Sequence, residues 1–335
     1  MKELSFDELT SFEALYKAHT VARCSKRQKW DVIAFENNLF SNLTNLEQSL
    51  KNGEYKVGNY KKFLIHEPKE REIEALGYTD RVVQHTICDN FLTPYYDRRL
   101  IYANCACRIG KGSHFARKLL KSYFVDFIKR FKKGYILKCD VKKYFANINH
   151  QELYKIIDKI KDKKVVALLK VIIESYNSDI GVGLPIGNQV SQIMGIVFLD
   201  KLDRLIKEQL RVKYYVRYMD DLILIHESKE YLKQCFEKIN NVLSSLKLEF
   251  NKKTQFLRIS QGVEFLGAKY IVKDNKVLQF IKKQSKKKFI KNKKNLERLK
   301  AHSLISSDYI KSSIAGIKGH TKGFNCHRLL PKIMP

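Results

Sequence analysis

Three β-rich runs, one of which ends in an aspartate while the other two flank a pair of aspartates, constrain the fold of this sequence more than any other feature. Residues 135–140, Tyr-Ile-Leu-Lys-Cys-Asp, form a compact apolar run that ends in an acid, which predicts a buried strand. Residues 214–218 and 222–226 are also β-rich and flank Met-Asp-Asp at 219–221, a pattern typical of a hairpin. If the strand and the hairpin are neighbours in one sheet, three carboxylates from distant parts of the chain meet at its edge.

These three carboxylates together favour a metal site. Taken singly, Asp220 and Asp221 are compatible with a solvated acidic turn, and Asp140 with a helix N-cap. Grouped, they repel one another unless a cation neutralises them, and ligands with only oxygen donors suit Mg²⁺. Two such ions about 3.5–4 Å apart form the clamp for in-line phosphoryl transfer. We therefore predict a nucleotidyl-transfer site with two Mg²⁺ ions, for which Mn²⁺ is an acceptable substitute.

The charge of the chain points to a polyanionic partner. The 335 residues include 64 Lys and Arg against 35 Asp and Glu, a formal net charge of +29. Nucleic acid is the first interpretation, and an anionic membrane surface or a merely solvated basic surface are the alternatives. The longest clean apolar run, 193–199, is far shorter than a membrane span, and the N-terminus has no apolar signal region. We expect a cytoplasmic protein with no membrane partner and with reduced, mostly buried cysteines.

The order of predicted elements is helices, then mixed strands and helices, then helices, which indicates an α+β fold. Asp80 is the predicted N-cap of a helix. The remaining elements are a helical region over residues 1–60, a strand at 60–66, helices at 80–92, 113–132, 150–176, 188–210 and 229–246, a β pair at 263–270 and 276–281, and a very basic helical segment at 282–335.

Six sequence blocks, in the family's order and spacing, resemble the reverse transcriptases, and the resemblance covers about residues 20–330. The blocks are Glu67-Pro-Lys-Glu-Arg-Glu-Ile73 with Asp80-Arg-Val-Val-Gln84, Cys105-Ala-Cys-Arg-Ile-Gly-Lys-Gly112, Asp140-x-x-x-x-Phe145, Gly183-Leu-Pro-Ile-Gly-Asn-Gln-Val-Ser-Gln192, Tyr218-Met-Asp-Asp221 and Phe265-Leu-Gly267. The resemblance implies a right-hand polymerase with fingers, an antiparallel-sheet palm and a short helical thumb. It divides the chain into N-terminal helices and fingers (1–133, with part of 150–180 packing nearby), palm (134–272) and basic thumb (273–335). Its implied partners are template RNA, the cDNA product and dNTPs.

The resemblance also assigns roles at the metal site. It implies that Asp140 and Asp220 are the principal metal ligands, with Asp221 beside them and the carbonyl of Val141 as a further contact. Phe145 falls at the sugar-gate position, where an aromatic ring clashes with a ribose 2′-hydroxyl. A core phenylalanine is the simpler interpretation of Phe145, and one residue can serve both purposes.

Further residues are assigned to nucleotide, primer and template by the same resemblance. Arg71 corresponds to an arginine that lies over the incoming nucleotide, although it can also be read as one more surface cation. Lys69 is a candidate to contact the γ-phosphate. Lys253, with Lys252 as competitor, is the candidate that protonates pyrophosphate. Nucleotide contacts are also expected from Ile186, Gly187 and Gln192, and primer or template contacts from Tyr218, Met219, Phe265, Leu266, Gly267, Lys286, Lys287 and Lys291.

Two departures from the common family pattern bear on the biological setting. Ile186 stands where many members have glutamine, and Gln192 stands where they have proline. The Gly-Asn-x-x-Ser-Gln form resembles the enzymes of diversity-generating retroelements, which copy a template RNA mutagenically and imply a small basic accessory protein. Ordinary drift, an antiphage defence reverse transcriptase, and a non-catalytic RNA-binding protein on a polymerase scaffold remain as alternatives. An RNA-dependent RNA polymerase is disfavoured by Phe145.

Overall fold

The computed structural model describes residues 4–66, 70–177, 179–326 and 329–333. The first elements of the fold are four helices that pack together. Ser5 and Glu8 form a reciprocal capping box at the first helix, and Ser11 caps the second. The apolar spacing of Leu43, Leu46 and Leu50 buries one face of the fourth helix, as the sequence predicts. The helices are α1 (Phe6–Leu9), α2 (Phe12–Ala22), α3 (Trp30–Asn37) and α4 (Leu39–Lys51).

A two-stranded hairpin and a second group of helices follow. Strand β1 (Lys61–Ile65) pairs antiparallel with β2 (Arg71–Ala75). The helices are α5 (Tyr78–Ile87), which continues into a π-helical turn (Cys88–Leu92), α6 (Thr93–Asp97) and α7 (Ser113–Arg130). The prediction that Asp80 is an N-cap is wrong. Asp80 lies inside the first turn of α5, where its buried carboxylate accepts hydrogen bonds from the Tyr55 hydroxyl (2.7 Å) and the Gly58 amide (3.2 Å).

A four-stranded antiparallel sheet forms the centre of the protein. Its elements in chain order are β3 (Tyr135–Asp140), α8 (His150–Ile157), α9 (Lys163–Glu174), α10 (Gln189–Phe198), α11 (Asp200–Arg204), a π-helical turn (Leu205–Gln209), β4 (Tyr214–Tyr218), β5 (Asp221–His226), α12 (Lys229–Ser245) and β6 (Gln255–Arg258). The strand order is β4-β5-β3-β6. The predicted strand and hairpin are therefore neighbours, and their register sets Asp140 directly opposite Asp221.

Both faces of this sheet are buried, which explains its nearly continuous apolar strands. Alternate residues point to opposite sides. Leu137 and Leu224 belong to a large core beneath the helices. Ile136 and Ile225 belong to a second core, which they share with α7 and with the strands of residues 263–281 described below. The sheet is thus held rigidly between two cores.

A third, three-stranded sheet precedes the C-terminal helices. The sequence predicts two strands here, at 263–270 and 276–281. The chain turns at Leu266 (φ 46°) and Gly267 (φ 77°), so the predicted strand at 263–270 is divided into two strands. The elements are β7 (Val263–Phe265), β8 (Ala268–Lys273), β9 (Lys276–Ile281), α13 (Lys283–Ala301), α14 (Ser307–Thr321) and α15 (Leu330–Ile333). The β8–β9 hairpin crosses the predicted palm–thumb boundary at 272/273, and the domain division stays a prediction.

Contacts between distant segments tie the 150–180 region to the N-terminal helices. The Phe6 amide donates to Asp162 Oδ2 (3.0 Å), and the Tyr60 and Ser175 hydroxyls are 2.8 Å apart. All seven cysteines are free thiols and five of them are buried. Among the described helices, none combines the length and apolar character that crossing a membrane requires.

Candidate active site

The turn between β4 and β5 presents two of the three predicted acids. Met219 adopts a left-handed conformation (φ 54°), which reverses the chain before Asp220 and Asp221. The Val141 amide, one residue beyond β3, donates to the Asp220 carbonyl (3.3 Å). Together with the pairing of Asp140 and Asp221, this bond fixes the end of β3 against the turn. The structure therefore brings Asp140, Asp220 and Asp221 together, as the sequence predicts.

A buried ion pair supports this turn from beneath. Arg217 and Asp203 are both completely buried, and two guanidinium nitrogens bond the two carboxylate oxygens at 2.8 and 2.5 Å. Arg217 also donates to the Met219 carbonyl (2.9 Å) and to the Ile196 carbonyl (2.8 Å). The Tyr215 hydroxyl completes the set with a bond of 2.6 Å to Asp203. Arg217 thereby holds the backbone of the acidic turn to α10 and α11.

The electrostatic state of the acids favours a bound cation. Burial, reinforced by Asp140, raises the pKa of Asp220 to about 6. Burial also raises the pKa of Asp221 to about 7, with Asp140 and Asp220 adding to the effect and Lys138 opposing it. Lys138 Nζ lies 3.6 Å from Asp221 Oδ2, whereas the buried Oδ1 of Asp221 has no hydrogen-bond partner.

These residues fit Mg²⁺ as an incomplete ligand set. Among the described residues, no group of three or more His, Cys, Asp or Glu side chains is arranged so that it could hold a metal ion by itself. Mg²⁺ is commonly held by one or two carboxylates together with substrate phosphates and waters, so a closed protein cage is not required. A cation bound beside Asp221 would give its orphaned oxygen a partner and would favour the charged form of carboxyl groups whose pKa values are raised.

The acids lie in a cleft of about 690 Å³ that gathers most of the predicted site. Eleven of the predicted residues line it: Arg71, Asp140, Phe145, Ile186, Gly187, Gln192, Tyr218, Met219, Asp220, Asp221 and Leu266. The Phe145 ring lies against Gly195 of α10, where an added Cβ would stand 3.1 Å from the ring. Phe145 is thus anchored on a helix while it faces the same space as the acids.

The part of the cleft wall formed by Ile186 and Gly187 is joined to the β1–β2 hairpin. The Glu74 amide donates to the Ile186 carbonyl (3.0 Å). Gly187 has a φ of +129°, and a Cβ there would meet Ile73 Cγ2 at 2.9 Å, so the close approach requires glycine. The Asn188 side chain donates to the Glu74 carbonyl (3.3 Å). The Ile186–Asn188 segment is therefore fixed by backbone contact with β2.

Several predicted residues lie elsewhere. Lys69 is outside the described residues. Lys253 is exposed and does not line the cleft, and its assigned role stays a prediction. Phe265 is fully buried in the second core, so the part of this hairpin that faces the cleft is Leu266. Gly267 forms the turn beside it, and Lys286, Lys287 and Lys291 are exposed on α13.

Three residues next to the acids were not identified from the sequence. Lys138 precedes Asp140 by two positions on the same strand, so the alternation of strand side chains contained its signal. Asn251 donates its backbone amide to the Asp140 carbonyl (2.7 Å) and its side chain to Asp140 Oδ2 (3.3 Å). Arg217 was visible as an arginine within an apolar strand, which indicates a buried, paired charge.

Comparison with known proteins gives a consistent family match. The chain matches the family described as reverse transcriptase (RNA-dependent DNA polymerase) over residues 83–270. It is 26% identical to the COX1/OXI3 intron 2 protein of Saccharomyces cerevisiae over a 265-residue alignment that covers 59% of this chain and 30% of that protein. The chain therefore spans about a third of the length of this curated relative.

A solved telomerase structure is similar in fold to this chain. Telomerase from Candida albicans, solved with the TWJ fragment of telomeric RNA, is similar with a TM-score of 0.50 and 15% identity, over 70% of this chain and 46% of that chain. Apo telomerase from Candida tropicalis has a TM-score of 0.49 and 14% identity, over 66% and 48%. The predicted α+β right-hand polymerase fold with an antiparallel central sheet is confirmed.

Removing the buried partner of Arg217 should destabilise the protein strongly. We expect Asp203→Asn to lower the free energy of unfolding by about 3–5 kcal/mol, because it leaves an uncompensated buried charge. Asp126→Asn is the matched control, since Asp126 bonds Lys213 and Arg130 at the solvent-exposed surface. Urea denaturation measures both variants, and equal losses would contradict the structural role of the Arg217–Asp203 pair.

Magnesium should stabilise the protein more as the pH rises. The folded state binds protons at Asp220 and Asp221 more tightly than the unfolded state, so without metal the stability falls between about pH 4 and 7. Deprotonation in the same range creates the metal ligands. We expect Mg²⁺ to raise Tm more at about pH 8 than at about pH 5.5. In Asp221→Asn this pH-dependent gain should shrink, and an unchanged gain would exclude Asp221 from metal binding.

Proposed function

This chain belongs to the reverse transcriptase (RNA-dependent DNA polymerase) family, and from this premise we propose that it synthesises DNA on an RNA template in the cleft lined by Asp140, Asp220 and Asp221. The observation that carries the proposal is the β3–β5 register, which sets Asp140 opposite Asp221 at the cleft. Two strands from distant parts of the chain thus supply the carboxylates that nucleotidyl transfer requires.

The proposed reaction joins a primer to an incoming dNTP. The primer 3′-hydroxyl oxygen forms a bond to the α-phosphorus, the bond from that phosphorus to the β-phosphate oxygen breaks, pyrophosphate leaves, and the hydroxyl proton passes to solvent. Asp140 and Asp220 would be the principal Mg²⁺ ligands, with Asp221 beside them. Bound Mg²⁺ supplies charge that lowers the pKa of the hydroxyl and neutralises the triphosphate.

The other residues of the cleft position the substrates. Arg71 lies near enough to Asp220 to stabilise its charged form, and its guanidinium is suited to bind the triphosphate and stack on the base. Tyr218 and Met219 support the primer end beside the acids. Phe145 excludes a ribose 2′-hydroxyl, because its ring is fixed against Gly195 and has little freedom to withdraw.

We place this activity in a diversity-generating retroelement, with mutagenic copying of a template RNA. The proposal is supported by the apolar Ile186 side chain, which is partly exposed in the cleft and offers no hydrogen bond to the nucleotide. A site that makes fewer polar contacts discriminates less among nucleotides. This setting also implies a small basic accessory protein. An antiphage defence enzyme is the alternative within the family, and a non-catalytic RNA-binding protein is the alternative outside it.

The test is to sequence cDNA that the purified protein makes on a defined RNA template with Mg²⁺ and four dNTPs. We expect DNA from the wild type and none from Asp220→Ala/Asp221→Ala. Errors concentrated opposite template adenines would support the diversity-generating setting, and even or untemplated synthesis would support defence. If no DNA forms even with a native RNA and protein partner present, the polymerase proposal is wrong and the RNA-binding scaffold stands.

A smaller side chain at position 145 should relax sugar selection. We expect Phe145→Ala to incorporate ribonucleotides at least about tenfold better relative to dNTPs, because the clash with the 2′-hydroxyl is removed. The measurement is the ratio of kcat/KM for a matched NTP and dNTP pair. Ile186→Ala, which also shortens a side chain that lines the cleft, is the control for a general loosening of the cleft. An unchanged ratio in Phe145→Ala would remove this residue from the gate.

A further inference from the structure

The turn that joins α2 to α3 is a concentration of positive charge that is separate in the sequence from the very basic C-terminal segment at 282–335. It contains Arg23, Lys26, Arg27 and Lys29, and no Asp or Glu occurs anywhere in residues 14–30. The turn is ordered by its own backbone: the Lys26 amide donates to the Arg23 carbonyl and the Lys29 amide to the Lys26 carbonyl, both at 2.9 Å. The cations are therefore displayed on a fixed framework.

Most of these cations lack a compensating carboxylate. Arg23 forms an ion pair of 2.7 Å with Glu36 of α3, so this acid is already engaged. Asp31 accepts a hydrogen bond from the Val32 amide. Within the part of the chain that the structure describes, no ion pair involves Lys26, Arg27 or Lys29.

A cation from a different element converges on the same place. Burial, together with Arg81 of α5 and the neighbouring Lys29, lowers the pKa of Lys26, and Asp31 offsets this only in part. Lys26 is thus repelled both by Lys29 in its own turn and by Arg81, which is about 50 positions away in the sequence. Such a cluster is relieved when an anion such as a phosphate binds between the cations.

The only tryptophan of the chain lies directly beside these charges. Trp30 is the first residue of α3, and 79% of its surface is exposed. One turn later on the same helix, Ile33 is also 39% exposed. A large aromatic ring that contributes almost nothing to the core, next to unpaired cations, is the combination that binds unpaired bases by stacking and their phosphates by charge.

We propose that Trp30, Lys26, Lys29 and Arg81 form a binding site for single-stranded RNA, outside the polymerase cleft. The ligand class rests on the proposed function, which makes RNA the polyanion that this protein handles. An unpaired strand is favoured over a duplex because the indole can stack only on a base that is free of its partner. The site would anchor a flanking segment of the template RNA while another segment occupies the cleft.

Tryptophan fluorescence tests this site directly, because every tryptophan photon comes from position 30. The probe is a single-stranded oligouridylate of about 12 nucleotides, added without dNTPs so that no synthesis occurs. We expect the oligouridylate to quench the fluorescence of Trp30. An RNA duplex of the same length should quench it only weakly. Quenching by anionic phospholipid vesicles but not by RNA would overturn the proposal in favour of a membrane surface, and no response to either would also overturn it.

Charge variants measure the contribution of the lysines. In Lys26→Gln/Lys29→Gln, we expect the slope of log K against log salt to fall by about 1.4, from about 0.7 per phosphate contact on a single strand. The control is Lys51→Gln/Lys155→Gln, which removes two exposed lysines that are already ion-paired with Glu47 and Glu152. An equal change in both double variants would contradict a specific site.

Trp30→Ala separates stacking from charge. With fluorescently labelled RNA as the readout, we expect at least about a fivefold loss of affinity, and a smaller loss in Trp30→Phe, which keeps an aromatic face. Equal affinity of Trp30→Ala and wild type would remove the stacking role. A protein that binds RNA at Trp30 but makes no DNA would refute only the polymerase proposal. A protein that makes DNA without any response at Trp30 would refute only this site.

Discussion

The buried pair of Arg217 and Asp203 is the interaction on which the active-site geometry depends. A fully desolvated arginine is tolerable only when its donors are satisfied, and here they bond Asp203 and two backbone carbonyls. One of those carbonyls belongs to Met219, in the turn that presents the acids. The backbone of Arg217 also pairs with the chain at Ala103 and Cys105. Arg217 therefore positions α10, α11, the loop at Ala103–Cys105 and the turn that carries the acids relative to one another.

This rigid support explains why the carboxylates can remain close together at a cost. Burial and mutual repulsion raise the pKa values of Asp220 and Asp221, and one oxygen of Asp221 has no partner. A flexible turn would relax by moving the acids apart into solvent. Because β3 and Arg217 hold the turn in place, the acids cannot move apart. The electrostatic repulsion between them therefore remains, and it favours the binding of a divalent cation with its phosphate ligands.

The sequence predicts the parts of this site that depend on local pattern. Alternation and a strand-end acid identify β3, and Met-Asp-Asp between two β-rich runs identifies the β4–β5 hairpin. The sequence fails where a distant residue competes for a side chain: Asp80 is not an N-cap because Tyr55 and Gly58 bind its carboxylate. Asn251 was missed for a related reason, because only the fold brings it to Asp140, which is 111 positions away in the sequence. The split of the third sheet at Leu266 and Gly267 depends on backbone angles that the apolar pattern does not record.

The buried acids and the surplus of surface cations respond differently to salt, and this separates their roles physically. Exposed lysines such as Lys286 of α13 and Lys29 of the α2–α3 turn act through fields that are screened over about 8–10 Å at ordinary ionic strength. The acids of the cleft interact at short range in partly buried surroundings, where screening is weak. Raising the salt concentration is therefore expected to weaken the proposed binding of a nucleic-acid backbone, while the carboxylates keep their mutual repulsion. The proposed affinity for the polyanion and the proposed cation binding would then depend on different charges of the same molecule.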